Sequence, residues 1–247
     1  MALDLTDQTA NGNNLTNVNI CTDVTTNLPF AQSSHAAGLA SASSQYLYAG
    51  DSASLSITGD LTFELLVKFT SLPTGGNAWF FSKSRDDGVN DRSYYFGITD
   101  VGSGNFNLRF IISPNGQYSA GDDEVVLWTA PSTGVWYHLA VTWKASTKAV
   151  KFYLNGSQQG SDQATTAGAI LDNALPMSIG CTNAGGTPAG FLDGIVDEAR
   201  IWNVVRTITE INDNKLNELT GLETGLNAYW PFETLGVTLG GEYSYFL

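Results

Sequence analysis

Along most of the chain apolar and polar residues alternate, rather than recurring every three or four positions. Residues 61–69 show it best: Leu61, Phe63, Leu65, Val67 and Phe69 fall on one face, while Thr62, Glu64 and Lys68 fall on the other. A two-residue period of this kind predicts a strand with one buried face. Runs at 45–48, 78–82, 94–98, 106–112, 135–143 and 149–154 also read as strands. Asn155-Gly156 follows the last of them directly, and the tightest hairpin turns need positive φ at both central residues, so 135–160 predicts consecutive antiparallel strands. No long amphipathic helix separates the runs, which excludes a parallel α/β sheet.

One helix is predicted. Thr207-Ile-Thr-Glu210 is a capping box, Ile208, Ile211, Leu216 and Leu219 form an apolar stripe, and Gly221 marks its end. A final strand, 226–232, points Trp230 and Phe232 one way, and Pro231 assigns it to a sheet edge or strand end. Residues 1–34 read as a loop-rich segment with short edge strands, and 234–247 as a tail. No linker or internal repeat interrupts 1–247, so a single domain is expected.

The chain has 247 residues, with 26 glycines, 24 acidic and 11 basic residues, and a formal charge of −13. A surface so acidic repels phosphate backbones and anionic lipid, so neither nucleic acid nor membrane is expected as a partner. It suits carboxylate sites for a hard cation such as Ca²⁺. The two cysteines, Cys21 and Cys181, have no zinc-site spacing and read as buried free thiols. The first residues carry no basic segment followed by an apolar one, so no cleaved leader is expected. An extracellular, cell-surface or virion-surface location is the expectation.

Three segments together resemble the laminin-G-like branch of the concanavalin-A-like lectin/glucanase superfamily, which also resembles the pentraxins. They are 52–64, from Ser52 to Glu64; 134–143 with 150–156, containing Trp136-Tyr-His-Leu-Ala-Val-Thr-Trp143; and 190–202, ending Asp197-Glu-Ala-Arg-Ile-Trp202 before the capped helix. The resemblance covers roughly 35–233. It implies an all-β jelly-roll sandwich of two antiparallel sheets. It also implies a role in binding carbohydrate or a protein partner, often with Ca²⁺ at a loop-bearing edge. The family often carries an Asp-Gly pair before the first core strand; here that stretch reads Gly38-Leu-Ala-Ser-Ala-Ser-Ser-Gln-Tyr46, which puts that metal site in doubt.

Candidate chemistry is oxygen-rich. Under strict alternation Asp197 shares a face with Ile195, Ala199 and Ile201, while Glu198 and Arg200 take the other. A carboxylate on an apolar face has to be hydrogen-bonded, paired or bound to a metal. Asp197 with Asp193, and the loop acids Asp86 and Asp87, are therefore the metal-ligand candidates. Asp122-Asp-Glu124 is a further acidic cluster, more in keeping with solvated charge. Trp79, Tyr94, Tyr95 and Trp128 lie near polar loops and, with Asp91, are the candidates for stacking and hydrogen bonding to a sugar; burial in the core is the competing reading. Trp143 and Trp202 are assigned to the core. His138 reads as a satisfied sheet histidine.

No Glu-x-Asp-x-Glu segment appears, and neighbours such as Asp197 and Glu198 face opposite ways in a regular strand, so no catalytic carboxylate pair is expected. The reading is a non-catalytic recognition module. The alternatives are a virion or appendage subunit that assembles through the aromatic tail from Tyr243 to Leu247, and a polysaccharide hydrolase or lyase.

Overall fold

Alternation becomes two sheets in the computed structural model, which describes residues 3–85, 90–182 and 186–233. In chain order the strands are β1 (Thr16–Val18), β2 (Thr22–Val24), β3 (Ala36–Leu39), β4 (Tyr46–Ala49), β5 (Leu61–Phe69), β6 (Asn77–Arg85), β7 (Asp91–Gly102) and β8 (Asn105–Gly116). They continue with β9 (Asp123–Thr129), β10 (Trp136–Lys144), β11 (Ala149–Leu154), β12 (Ser157–Ala164), β13 (Met177–Ile179), β14 (Gly194–Trp202) and β15 (Leu226–Trp230). The helix α1 is Ile208–Asn214. All pairings between these strands are antiparallel. The seven-stranded sheet runs β1-β4-β13-β6-β7-β8-β9; the eight-stranded sheet runs β12-β11-β10-β5-β14-β3-β2, with β15 beside β14.

The facing sides of the sheets make one core. Leu61, Phe63, Leu65, Val67 and Phe69 all enter it, as the period predicts. Phe63 sits at its middle, with ring centroids 4.9 Å from Phe81, 5.1 Å from Tyr94 and 6.4 Å from Phe96. Buried polar tips find partners, because an orphan there costs about 1–3 kcal/mol. Tyr94 Oη donates to Leu55 O, Trp143 Nε1 to Thr165 Oγ1 and Trp230 Nε1 to Asn13 O. Lys83 is fully buried, its ammonium held by Asp51 Oδ1 and the carbonyls of Asn173 and Leu175. Cys21 and Cys181 are buried free thiols, and burial pushes their pKa values up to about 11 and about 12.

Two sequence expectations need correction. β5 is buried on both faces: the 204–206 turn covers Thr62, and Lys68 donates to Asn27 O. The capping box forms, but α1 stops at Asn214; Ile211 is buried in it, whereas Ile208 and Leu216 stay exposed. Trp143 and Trp202 are both fully buried core residues, as expected, Trp143 between the sheets and Trp202 in a smaller cluster with Leu219, Leu226 and Tyr229. β15 lies at an edge and ends before Pro231, as expected. The N-terminal segment is stitched to it: Asp4 N donates to Phe232 O, Gln8 N to Tyr229 O, and Tyr229 N to Asp7 Oδ1. No helix of the described residues is long and apolar enough to cross a membrane.

Candidate functional site

The outer faces of the two sheets carry the chemistry. On the eight-stranded sheet, Val196, Ala199 and Ile201 of β14 point into the core. The register against β5 shifts between Asp197 and Arg200, and Glu198 has φ +51°. This bulge adds one residue to the strand, so strict alternation fails there. Asp197 and Glu198 therefore share the outer side with Arg200, not opposite faces. The predicted face of Asp197 is corrected, and so is the argument that these two acids cannot meet.

Both acids are sealed and occupied. Asp197 Oδ2 accepts from Ser33 Oγ (2.7 Å) and Oδ1 from Glu198 N (2.8 Å). Burial, then the charge of Glu198, raises the Asp197 pKa well above the ordinary carboxylate range. Glu198 pairs with Arg200 Nη2 and accepts from Tyr229 Oη at 2.8 Å. Arg200 Nη1 also reaches Asn214 O (2.9 Å), pinning the C-terminal end of α1 to the sheet.

The metal expectation finds little support in this geometry. Asp193 Oδ2 accepts from Ser71 Oγ (2.5 Å) and its carbonyl accepts from Thr70 N. Asp193 stands four residues from Asp197, about 13 Å along a strand, too far to share an ion. Among the described residues no three His, Cys, Asp or Glu side chains converge to hold a metal. Asp86 and Asp87 lie outside the described residues, as does the tail 243–247. Asp122 is buried and accepts from Thr166 Oγ1 and Ala167 N, so it is no solvated acid.

Next to Arg200, Glu64 is fully buried on β5. Its Oε2 lies 3.3 Å from His138 Nε2 and 3.9 Å from Arg200 Nη1. Burial pushes the Glu64 carboxyl up, but His138 and the Arg200 and Arg206 charges outweigh it and hold it below its ordinary value. Burial holds His138 below its ordinary value. Nε2 faces Glu64 Oε2 at a long distance and Nδ1 has no partner within the protein, so His138 is only partly satisfied, against the expectation of a satisfied histidine. His138 floors a half-enclosed cavity of about 260 Å³, with Pro29, Leu66, Trp136 and Leu216 as apolar walls and Asn155 and Lys215 at the polar side.

The seven-stranded sheet looks different from outside. Its nominated aromatics are covered. Tyr94 and Trp128 face the core, Trp128 against Phe69 and Tyr137, so neither can stack on a ligand. Trp79 and Tyr95 pack with Ile111 on the outer face but are buried, the Trp79 indole lying over Gly97 and under Gly190. Asp91 begins β7 opposite Arg85, and its carbonyl accepts from Asn173 Nδ2.

What the outer face does present was not nominated. Arg109 forks onto Asp123, Nε to Oδ1 at 2.8 Å and Nη2 to Oδ2 at 2.6 Å, and Arg109 Nη1 reaches Asn77 Oδ1 at 3.2 Å. Tyr118 Oη donates to Asp123 Oδ2 at 2.8 Å while its side chain stays exposed, at 51%. Val125 and exposed Leu127 continue the row from Asp123 at two-residue steps. The hydrogen bond to Asp123 raises the pKa of Tyr118, which stays a phenol. Arg109 and Val125 are cross-strand partners, a register that the alternation of either strand alone does not give.

Comparison with known proteins agrees with this architecture. Domain 4 of AbnA, a GH43 extracellular arabinanase from Geobacillus stearothermophilus, solved with arabinotriose, matches at 22% identity. The match covers 85% of this chain and 92% of that one, with a TM-score of 0.57. The enzymatically active domain of tailspike protein 2 of bacteriophage CBA120 matches at 14% identity over 94% of this chain but 34% of its own, with a TM-score of 0.61. A heptameric SAP-like pentraxin from Limulus polyphemus matches at 18% identity over 63% of this chain and 69% of its own, with a TM-score of 0.50. At these identities the likeness is one of fold. The family model of the concanavalin A-like lectin/glucanases superfamily matches residues 41–212, and the chain belongs to that superfamily.

Proposed function

We propose that the protein is a non-catalytic carbohydrate-recognition module, with its glycan contacts on the outer face of the seven-stranded sheet. The Tyr118–Asp123–Arg109 clamp carries this reading. An exposed phenol ring is held on Asp123, itself fixed by Arg109, at the head of a row that runs along β9 through exposed Val125 and Leu127. Sugars present CH faces that lie on aromatic rings and hydroxyls that need oriented partners, and a ring already held still loses little freedom on binding. The arabinotriose in the related arabinanase domain makes arabino-oligosaccharides the first ligands to try.

Catalysis is disfavoured by burial. A glycosidase needs two carboxyl groups about 5–9.5 Å apart across an accessible sugar. Asp197 and Glu198 are adjacent but closed off from solvent. Ca²⁺ assistance is retained as one arm of the test. A module of this kind meets its glycans outside a cell, on a cell surface or on a virion surface. The appendage-subunit alternative rests on a tail outside the described residues.

A glycan array that includes arabino-oligosaccharides, with and without chelator, tests the proposal on the intact protein and on Tyr118→Ala. Binding to at least one neutral oligosaccharide is expected, weakened about tenfold by the substitution, which corresponds to about 1.4 kcal/mol. Silence of the intact protein on every glycan in both conditions overturns it.

A further inference from the structure

His138 lies on the other sheet from the Tyr118 clamp and poses a separate question. A buried imidazole with no hydrogen bond of good geometry is rare, because each orphan nitrogen forfeits its solvation. His138 is only 3% exposed, and it floors a cavity instead of packing against carbon on every side. The arrangement points to a missing partner.

The hydrogen positions follow from the neighbours. Glu64, held ionised by Arg200 and Arg206, can only accept, so Nε2, 3.3 Å away, carries the proton. A neutral imidazole then has a bare lone pair on Nδ1. Its partner must donate: a hydroxyl can, a carboxylate cannot.

The walls add size and shape. At about 260 Å³ the cavity falls below the range of about 300–1,000 Å³ usual for drug-sized ligands, which leaves space for one small ring. Trp136 and Leu66 offer apolar contact, while Asn155 and Lys215 offer polar partners beside them. Leu216, 44% exposed just past α1, is the wall with most freedom to move and so the place where a bulkier side chain would fill the cavity.

We propose that this cavity is a second carbohydrate subsite, taking one neutral sugar ring whose hydroxyl donates to His138 Nδ1. It is independent of the clamp on the opposite sheet.

The chain has two histidines, so ¹⁵N ring resonances of the intact labelled protein can be assigned with His35→Gln. At pH 7.5 His138 is expected as the Nε2–H tautomer. L-arabinose or D-galactose should shift its Nδ1 resonance saturably, and acetate, a carboxylate with no donor at that pH, should not. Leu216→Trp, at an exposed position where folding is unthreatened, should abolish the response and leave the tautomer unchanged. Tyr118→Ala should leave the response intact, so failure here is distinct from failure of the clamp. The inference is overturned by an Nδ1–H tautomer, by a response to acetate equal to that of the neutral sugars, or by a response surviving in Leu216→Trp. It is equally overturned if neither neutral sugar shifts Nδ1 at tens of millimolar, the outcome expected if the cavity holds water alone.

Discussion

Arg109 and Arg200 each hold a carboxylate on the outer face of a sheet, yet they sit in opposite surroundings. Arg109 and Asp123 keep 20% and 10% of their side chains in contact with solvent; Arg200 and Glu198 keep 1% each. The first pair orders a surface that water and ligands reach. The second lies under α1 and fastens it to the sheet through Asn214 and Asn217 carbonyls. The chemistry is the same and the burial is not: removing one partner of a buried pair strands a charge, whereas an exposed one is rehydrated.

The contrast can be broken most sharply at Arg200. Replacing it with Met leaves Glu198 and Glu64 without their cation, and the expected loss is about 3–5 kcal/mol in urea unfolding. A loss below about 1 kcal/mol would put the two sheets on the same footing. A smaller, pH-dependent effect is expected at Glu218, whose pKa burial and then the charges of Glu233 and Glu198 raise to about 7. Since its folded-state value lies above its ordinary 4.5, its contribution to stability is whole below that value and lost as pH climbs through about 7. Glu218→Gln should therefore gain stability relative to the native protein between pH 5 and pH 8; a constant difference counts against the buried acidic cluster. The smallest change is expected at Arg109→Ala, under about 1 kcal/mol in the same unfolding assay. It should still cost glycan binding on the array, and undiminished binding would separate the Arg109–Asp123 pair from recognition.

Much of the scaffold was readable because its physics is local. The alternation of β5, the Asn155-Gly156 turn and the Thr207–Glu210 box each act within a few residues, and each forms. The surfaces were not readable in that way. Glu198 adopts a left-handed backbone with no glycine to announce it, so the bulge that turns Asp197 and Glu198 to one side leaves no local mark. Trp79 and Tyr95 are covered by segments distant in sequence, which aromatic content near polar loops cannot reveal. Tyr118 carries no signal of its own, because its placement depends on Asp123 and on Arg109 across the strand pair. β12, an exposed edge of Ser, Gln and Gly, has no alternation to read.

The stitching of Asp4, Asp7 and Gln8 to Tyr229 and Phe232 has a consequence for biosynthesis. β5 pairs with β14 through Val67 and Val196, and β3 pairs with the same strand through Ala37. On the ribosome the opening segment, the β2–β3 pair and one edge of β5 must wait for their partner until the last quarter of the chain emerges. Contacts so distant in sequence slow folding and lengthen the exposure of sticky edges. The first forty residues suit that delay in one respect: Phe30 is their only Phe, Tyr or Trp and twelve of them are Asn or Thr, so the waiting stretch shows neighbouring chains few large apolar faces.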